Sequence, residues 1–361
     1  MCAAVLAIAV SASGCNPTPS PADGGSPYDA APGFLVDPEI TLPSPSGVLR
    51  LRIAHLLVAG PNLTMCFSIR PGRGAPETTG RMVGTVDPSR GLDGTLPYPA
   101  VTPYLNFPVY PSPGHAVVVR FYPRERLPFA SLGAPCPQPE GMPPLLEHVV
   151  ETASVTTPIT LVLAGVVEGA PVRCVRGCPP PRVIVLNDDL TTAPGQVRLR
   201  LIQGVPNLIA PIHVCFDPDF EAPDRPGPAP PQRILPPEDD FDGIGFGEVT
   251  PYIQVPPLSS TPGAFFVHLT VPGPPDCSPS TLALGPITLP FPVPETAPPE
   301  VARTLDPGDV LSLFAFGRVG DPCRQDSDCA ALGGRCLPMR MICQDRLSPS
   351  MLPWKDVRGV R

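Results

Sequence analysis

Between Asp217 and Gly243 the chain carries eight acidic and two basic residues. Inside that stretch, EDDFDG sets Glu238, Asp240 and Asp242 at alternate positions just ahead of Gly243. Carboxylates spaced in this way open a calcium loop. The twelfth position, where a bidentate glutamate would close the loop, is Val249, and no helical pattern flanks the segment. The stretch reads first as a solvated acidic loop and second as a weak calcium site. Twelve cysteines form the other chemistry-bearing set. Metal binding by Cys174 and Cys178, or by Cys323, Cys329, Cys336 and Cys343, is the lesser reading of them. Zinc knuckles keep a few residues between paired ligands on both halves of the site, whereas the terminal four are separated by five and six, with no histidine near. His55, His115, His148, His213 and His268 lie singly and read as ordinary strand or loop positions. The chain has no Gly-x-Ser-x-Gly elbow, phosphate-cradling glycine loop or His-Glu-x-x-His pair. No catalytic residue and no cofactor is expected, and a secreted hydrolase is the least favoured class.

The elements that would position these residues come in two copies. VTPYLNFPVYPSPGHAVVVRF from Val101 returns as VTPYIQVPPLSSTPGAFFVHL from Val249, and LRLRIAHLLVAGPNLTMCF from Leu49 returns as VRLRLIQGVPNLIAPIHVCF from Val197. Matching positions are 148 or 149 residues apart. ITLVLAGVV from Ile159 answers LSLFAFGRV from Leu311, and IVLNDDLT from Ile184 has a fainter echo in MICQDRLS from Met341. Leu49, Leu51 and Ile53 alternate with Arg50 and Arg52, as Val197, Leu199 and Leu201 do with Arg198 and Arg200. Period-two alternation predicts half-buried strands with their charged face outside. Tyr104 and Tyr252, each after Thr-Pro, read as buried turn anchors ahead of exposed sugar-stacking platforms. Short strands between Pro/Gly turns, with no amphipathic helix, predict an all-β chain of two tandem antiparallel, Ig-like β-sandwiches arranged as beads on a string. Residues 47–194 are repeat 1 and 195–320 repeat 2. A cysteine-rich loop or subdomain at 321–348 closes repeat 2, and 349–361 is a tail.

Sixty prolines and 33 glycines fit loops and tethers around cores drawn from the 42% hydrophobic residues. A net charge of −8 argues against a nucleic-acid partner. The loop Ser68–Gly94 carries net charge +1 against −6 for its counterpart 217–243, which lets the two domains or neighbouring molecules associate. One lysine, Lys355, among 25 basic residues reflects a GC-rich, bacterial codon usage. The apolar run Ala3–Val10 before SASGC reads as a signal peptide over 1–14 and resembles the lipobox of bacterial lipoproteins, which implies lipidation at Cys15. A lipidated, Pro-rich tether then runs over 15–46. No segment has the ~18 consecutive apolar residues of a spanning helix.

With Cys2 and Cys15 set aside, ten cysteines remain, an even number that favours disulfides in an exported chain. Repeat logic pairs Cys66 with Cys136 and Cys215 with Cys277. Cys174 and Cys178, and the four terminal cysteines in an unspecified pattern, complete the set. The strand motifs RLRI…GPN…MCF and RLRL…VPN…HVCF, the VTPY segments and the LNDDL close resemble the bacterial extracytoplasmic domain of unknown function 4397 family, over roughly residues 47 to 320. That resemblance implies surface location and a β-sandwich, with no activity to carry over. The expected function is a non-enzymatic cell-surface lipoprotein, anchored by lipid to a bacterial outer membrane or, alternatively, secreted, with a structural or interaction role. The alternative is a module that binds envelope polysaccharide or a protein partner through its long loops.

Overall fold

The computed structural model describes residues 47–74, 76–83, 95–109, 113–127, 134–152, 157–170, 172–174, 177–208, 211–217, 232–235, 243–255, 263–269, 282–289, 305–320, 323–332, 334–337, 342–344 and 350–357. The fold is all-β. Repeat 1 comprises β1 (Gly47–Val58), β2 (Leu63–Arg70), β3 (Arg81–Val83), β4 (Thr95–Leu96), β5 (Ala100–Val101), β6 (Leu105–Val109), β7 (Ala116–Pro123), β8 (Leu146–Glu151), β9 (Ile159–Val166) and β10 (Arg182–Asn187). One sheet runs β10-β9-β1-β5 with β6 also on β1; the other runs β3-β2-β7-β8 with β4 on β2. Leu49, Leu51, Ile53 and Leu57 of the first sheet meet Met65, Phe67, Val117, Val119 and Phe121 of the second in one buried cluster, so repeat 1 is a two-sheet sandwich.

Repeat 2 has the same plan in β11 (Val197–Gln203), β12 (Ile212–Asp217), β13 (Gln232–Leu235), β14 (Ile253–Val255), β15 (Gly263–Leu269), β16 (Leu282–Leu289) and β17 (Val310–Phe316). After β17 come a 3₁₀ helix (Asp326–Leu332), a hairpin of β18 (Arg335–Leu337) and β19 (Ile342–Gln344), and β20 (Ser350–Val357). Its sheets run β14-β11-β17-β20 and β13-β12-β15-β16. The registers repeat: Leu51 faces Leu105 and Leu49 faces Phe107, as Leu199 faces Ile253 and Val197 faces Val255.

Three expectations change. First, each sandwich holds a parallel pair, β1 with β9 and β11 with β17, so its sheets are mixed rather than purely antiparallel. Second, the segment read as a tail, 349–361, supplies β20, which lies antiparallel on β17 and brings Met351 into the core of repeat 2. Its sequence counterpart is β10, not the echo at Met341. Thr160 on β9 sits opposite Arg52 and Leu186, and Ser312 on β17 sits opposite Arg200 and Trp354. The cysteine-rich segment is thus an insertion between β17 and its edge strand. Third, the repeats are not beads on a string. Ala54, Leu56, Val162, Ala164 and Leu186 of repeat 1 pack with Ile202, Phe314 and Trp354 of repeat 2 in a shared buried cluster.

Candidate functional site

The VTPY motif shows how the sequence builds a buried polar site. Its threonine pins the neighbouring central strand, accepting from Ile53 N at 3.0 Å through Thr102 Oγ1 and from Leu201 N at 2.9 Å through Thr250 Oγ1. That fixes the tyrosine two residues on. The Tyr104 hydroxyl donates to Asp188 at 2.7 Å, and the Tyr252 hydroxyl donates to Asp356 at 2.7 Å. The same carboxylates accept from Thr160 at 2.6 Å and from Ser312 at 2.7 Å. Arg52 donates from Nε to Thr160 at 2.9 Å within its own repeat and from Nη1 to Asp356 of the other. Arg200 answers, from Nε to Ser312 at 2.8 Å and from Nη2 to Asp188. Each arginine therefore grips its own hydroxyl and the opposite repeat's carboxylate. The pattern is reciprocal, as across a two-fold axis.

The side chains of Arg52, Asp188 and Asp356 are fully buried, and that of Arg200 is 3% exposed. This corrects the charged faces expected to meet water: of the arginines on those faces, only Arg50 is exposed. Two positive and two negative groups balance inside the interface, so no net charge is left in low dielectric. Burial works against the charge on Arg52, but Asp356, Tyr104 and Asp188 raise its pKa above the ordinary guanidinium value. Burial, with Asp356 and Asp188, pushes both tyrosines up and keeps them as donors. The rings also stack, Arg52 lying 4.8 Å from the Tyr104 centroid and Arg200 4.6 Å from that of Tyr252. At the rim, Arg182 lies 4.9 Å over Phe246, and Asn207 bridges the carbonyls of Arg173 and Val319 at 3.3 and 2.8 Å.

A second feature lies at the end of repeat 1 where β2 and β8 finish and β7 begins. Arg70, Arg73, Gly74, Pro76, Gly114 and Glu151 line an open groove of about 720 Å³. Gly114, at φ +76°, lets the Arg73 backbone approach closely; a Cβ there would meet Arg73 N at 2.8 Å. Beside it, Arg120 spans Glu147 at 2.6 Å and Glu77. Burial opposes the charge of Glu77, but its bonds from Arg120 and Ser68 hold it below the usual carboxylate range.

The cysteines read from the sequence are held as disulfides where they are described. Cys66 joins Cys136, Cys174 joins Cys178 and Cys323 joins Cys336. Cys215 and Cys329 are also disulfide-bonded, while Cys277 and the side chain of Cys343 lie outside the described residues. Cys323, Cys329 and Cys336 come within 4.8 Å of one another, but their sulfurs are spent on disulfides and offer no thiolate. Cys15, Glu238, Asp240 and Asp242 lie outside the described residues. Of the histidines, His55 is buried against Pro61 O at 3.0 Å and burial pulls its pKa down to about 4. His115 is buried and bonds Thr152 at 2.7 Å; burial lowers both it and His148. No helix among the described residues is long and apolar enough to cross a membrane.

Comparison with known proteins adds little. No family model matches the chain, and no curated protein matches it. One solved structure it resembles is a leucine-rich repeat protein from Bacteroides thetaiotaomicron VPI-5482, 8% identical over 63% of this chain and 23% of that one, at a TM-score of 0.16. The chain spans about a quarter of that protein's length, and a likeness at this level carries no argument about fold or activity.

Proposed function

We propose that the chain is a non-enzymatic bacterial surface protein in which two sandwiches, locked face to face, form one rigid unit with a structural or interaction role. The observation that carries this reading is the interlock. A buried set of charged and hydroxyl side chains is spent on holding the repeats together: the side chains of Arg52, Asp188 and Asp356 are fully buried and that of Arg200 is 3% exposed. The disulfides fit an oxidising, extracytoplasmic compartment. The lipobox-like SASGC and the Pro-rich segment after it support lipid anchoring at Cys15, and the strand motifs resembling the extracytoplasmic family point the same way.

Protease treatment of intact cells, followed by intact mass analysis of the native protein without reductant, tests the proposal. A cell-surface chain beginning at acylated Cys15, with its remaining ten cysteines oxidised, is expected. Free thiols in a cytoplasmic chain overturn it. So does turnover of an ester, glycan or peptide that is abolished by a point change leaving the fold intact. The groove at Arg70 and Arg73 favours a second reading within the same class: a module that binds envelope polysaccharide or a partner through the loop after Cys66.

A further inference from the structure

We propose that Lys355 and Asp309 join in an intramolecular isopeptide bond that ties β20 to the turn before β17. Of the 25 basic residues, 24 are arginine and one is lysine. A codon usage that puts arginine at every other basic position has left lysine at one place. There it faces two carboxylates: Nζ lies 2.7 Å from Asp309 Oδ2 and 3.6 Å from Asp306 Oδ2. The Lys355 side chain is 9% exposed and that of Asp309 1%, so the pair is largely shielded from water. An arginine would serve a plain ion pair as well, as it does with Asp188, Asp189 and Asp356. What arginine cannot supply is a nucleophile, because its guanidinium stays protonated, whereas a lysine amine attacks carbonyl carbon once it gives up a proton. Nor does the sandwich need these groups. In repeat 1 the same strand positions hold Thr157 in place of Asp309 and Asn187 in place of Lys355.

The backbone holds both partners in place. Asp306 N donates to Asp309 Oδ2 at 2.8 Å, Asp309 N returns a bond to Asp306 O at 3.0 Å, and Arg198 N fixes Asp309 O at 2.9 Å. The ladder between β17 and β20 slips between Val310 and Leu311, and Lys355 sits opposite Leu311 at that bulge; bulges re-aim side chains. Amine and acid are thus brought together without further loss of freedom, the condition under which an intramolecular reaction outruns its bimolecular counterpart. A proton first passes from the ammonium to Asp309 Oδ1, leaving a neutral amine and a carboxylic acid. The Nζ lone pair then forms the bond to Cγ, and the carbonyl electrons move onto Oδ2, where the Asp306 N–H donates. The Asp306 carboxylate takes a proton from the attacking nitrogen and passes it to the Oδ1 hydroxyl. The Cγ–Oδ1 bond breaks, water leaves and the carbonyl reforms. One ammonium and one carboxylate become one amide and one water, with no change of oxidation state and Asp306 restored. The bond secures β20 one residue from Asp356 of the interlock.

Mass analysis of the purified full chain, reduced, alkylated and digested with trypsin, tests the assignment. The tryptic peptides 304–318 and 347–358 are expected as one joined species, one water lighter than their sum, because trypsin does not cut after an acylated lysine. Fragmentation should place the link on Asp309. Lys355→Arg keeps a cation beside the carboxylates and should release both segments at full mass. Asp306→Asn should cut the joined species roughly tenfold or more in freshly purified protein, as loss of a positioned proton carrier does. Recovery of peptides 304–318 and 347–355 unjoined from the parent means an ion pair only and overturns the bond, whether or not the variants fold. A water loss that persists in Lys355→Arg belongs to a cyclised aspartate and overturns it too. A link found on Asp306, or undiminished in Asp306→Asn, overturns the roles given to the two carboxylates.

Discussion

Replacing Asp356 by alanine removes one end of the cross-repeat interlock and should be the most damaging single change at the interface. In the parent, the carboxylate accepts from Arg52 Nη1, from the Tyr252 hydroxyl at 2.7 Å and from Ser312 at 2.7 Å. A hydrogen bond to a charged group contributes about 1.5–3 kcal/mol net and a neutral one about 1. All three end on the carboxylate, and taken at the low end of that range they give roughly 4.5 kcal/mol. Breaking a buried ion pair from one side costs about 3–5 kcal/mol, because the partner stays buried and uncompensated, so the two routes agree. What Arg52 retains is Thr160, the Ser312 hydroxyl at 3.5 Å and a carboxylate, Asp188, at 3.7 Å that Arg200 already holds. The assay is built in. Trp354, the only tryptophan, is 4% exposed, two residues before Asp356 and inside the shared apolar cluster. Urea titration followed by its fluorescence should show the parent losing repeat contact and fold together. Asp356→Ala should lower stability by about 4 kcal/mol, and a cycle with Arg52→Ala should give a coupling of about 2 kcal/mol or more. A loss below about 1 kcal/mol, or additive single changes, would refute the view that the interlock holds the repeats together.

Three further outcomes follow from the geometry. Removing the Cys66–Cys136 bridge by double alanine substitution opens a loop with a separation of 70 residues and should cost about 4 kcal/mol in the chain-entropy model, read as a shift in the urea midpoint. His55→Gln, which installs the residue of the matching position Gln203, should flatten part of the acid limb of stability. The folded pKa of His55 is depressed from 6.5 to about 4, so its contribution is whole above pH 6.5 and lost as pH falls towards 4. The parent should therefore lose about 2.4 kcal/mol more than the variant, seen by comparing midpoints at pH 7 and 4.5. Gly165→Ala meets both a φ of +117° and a Cβ placed 2.3 Å from Pro180 O, and should cost roughly 2–3 kcal/mol by thermal melting.

The strands were legible because alternation is a local signal: Leu49, Leu51 and Ile53 do line the core. The same signal misplaces Arg52 and Arg200. Period two separates two faces but does not reveal what covers the second, and a charge there reads as solvent unless its partner is in view. The partner is legible only for one arginine. Asp188 closes repeat 1 in LNDDL, whereas its counterpart Asp356 is displaced by the inserted cysteine-rich segment, so the spacing grows from 148 to 168 residues. The echo at Met341 drew the match away from β20. The parallel pairing of β1 with β9 joins residues 108 apart, as Arg52 and Thr160, and has no local signature at all. The repeated tyrosines were read correctly as anchors, but what they anchor, the other repeat's grip, needed the third dimension. The Cys66–Cys136 pairing was accessible because Cys66 recurs as Cys215 at a matched strand position.

The parallel ladder also decides how the molecule bears a pull. β1 is joined to β9 by eight consecutive registered pairs, from Leu51 with Ile159 to Val58 with Val166, and on its other side to β6 from Gly47 with Val109 onwards. A force drawn on residue 47 from the N-terminal side runs along β1, so the hydrogen bonds on both flanks are loaded in shear and resist together. Peeling, in which bonds yield one after another, is not the geometry at that end. The load then passes through Arg52 to β20 of the second sandwich, so the terminal strand of one sandwich braces the first strand of the other.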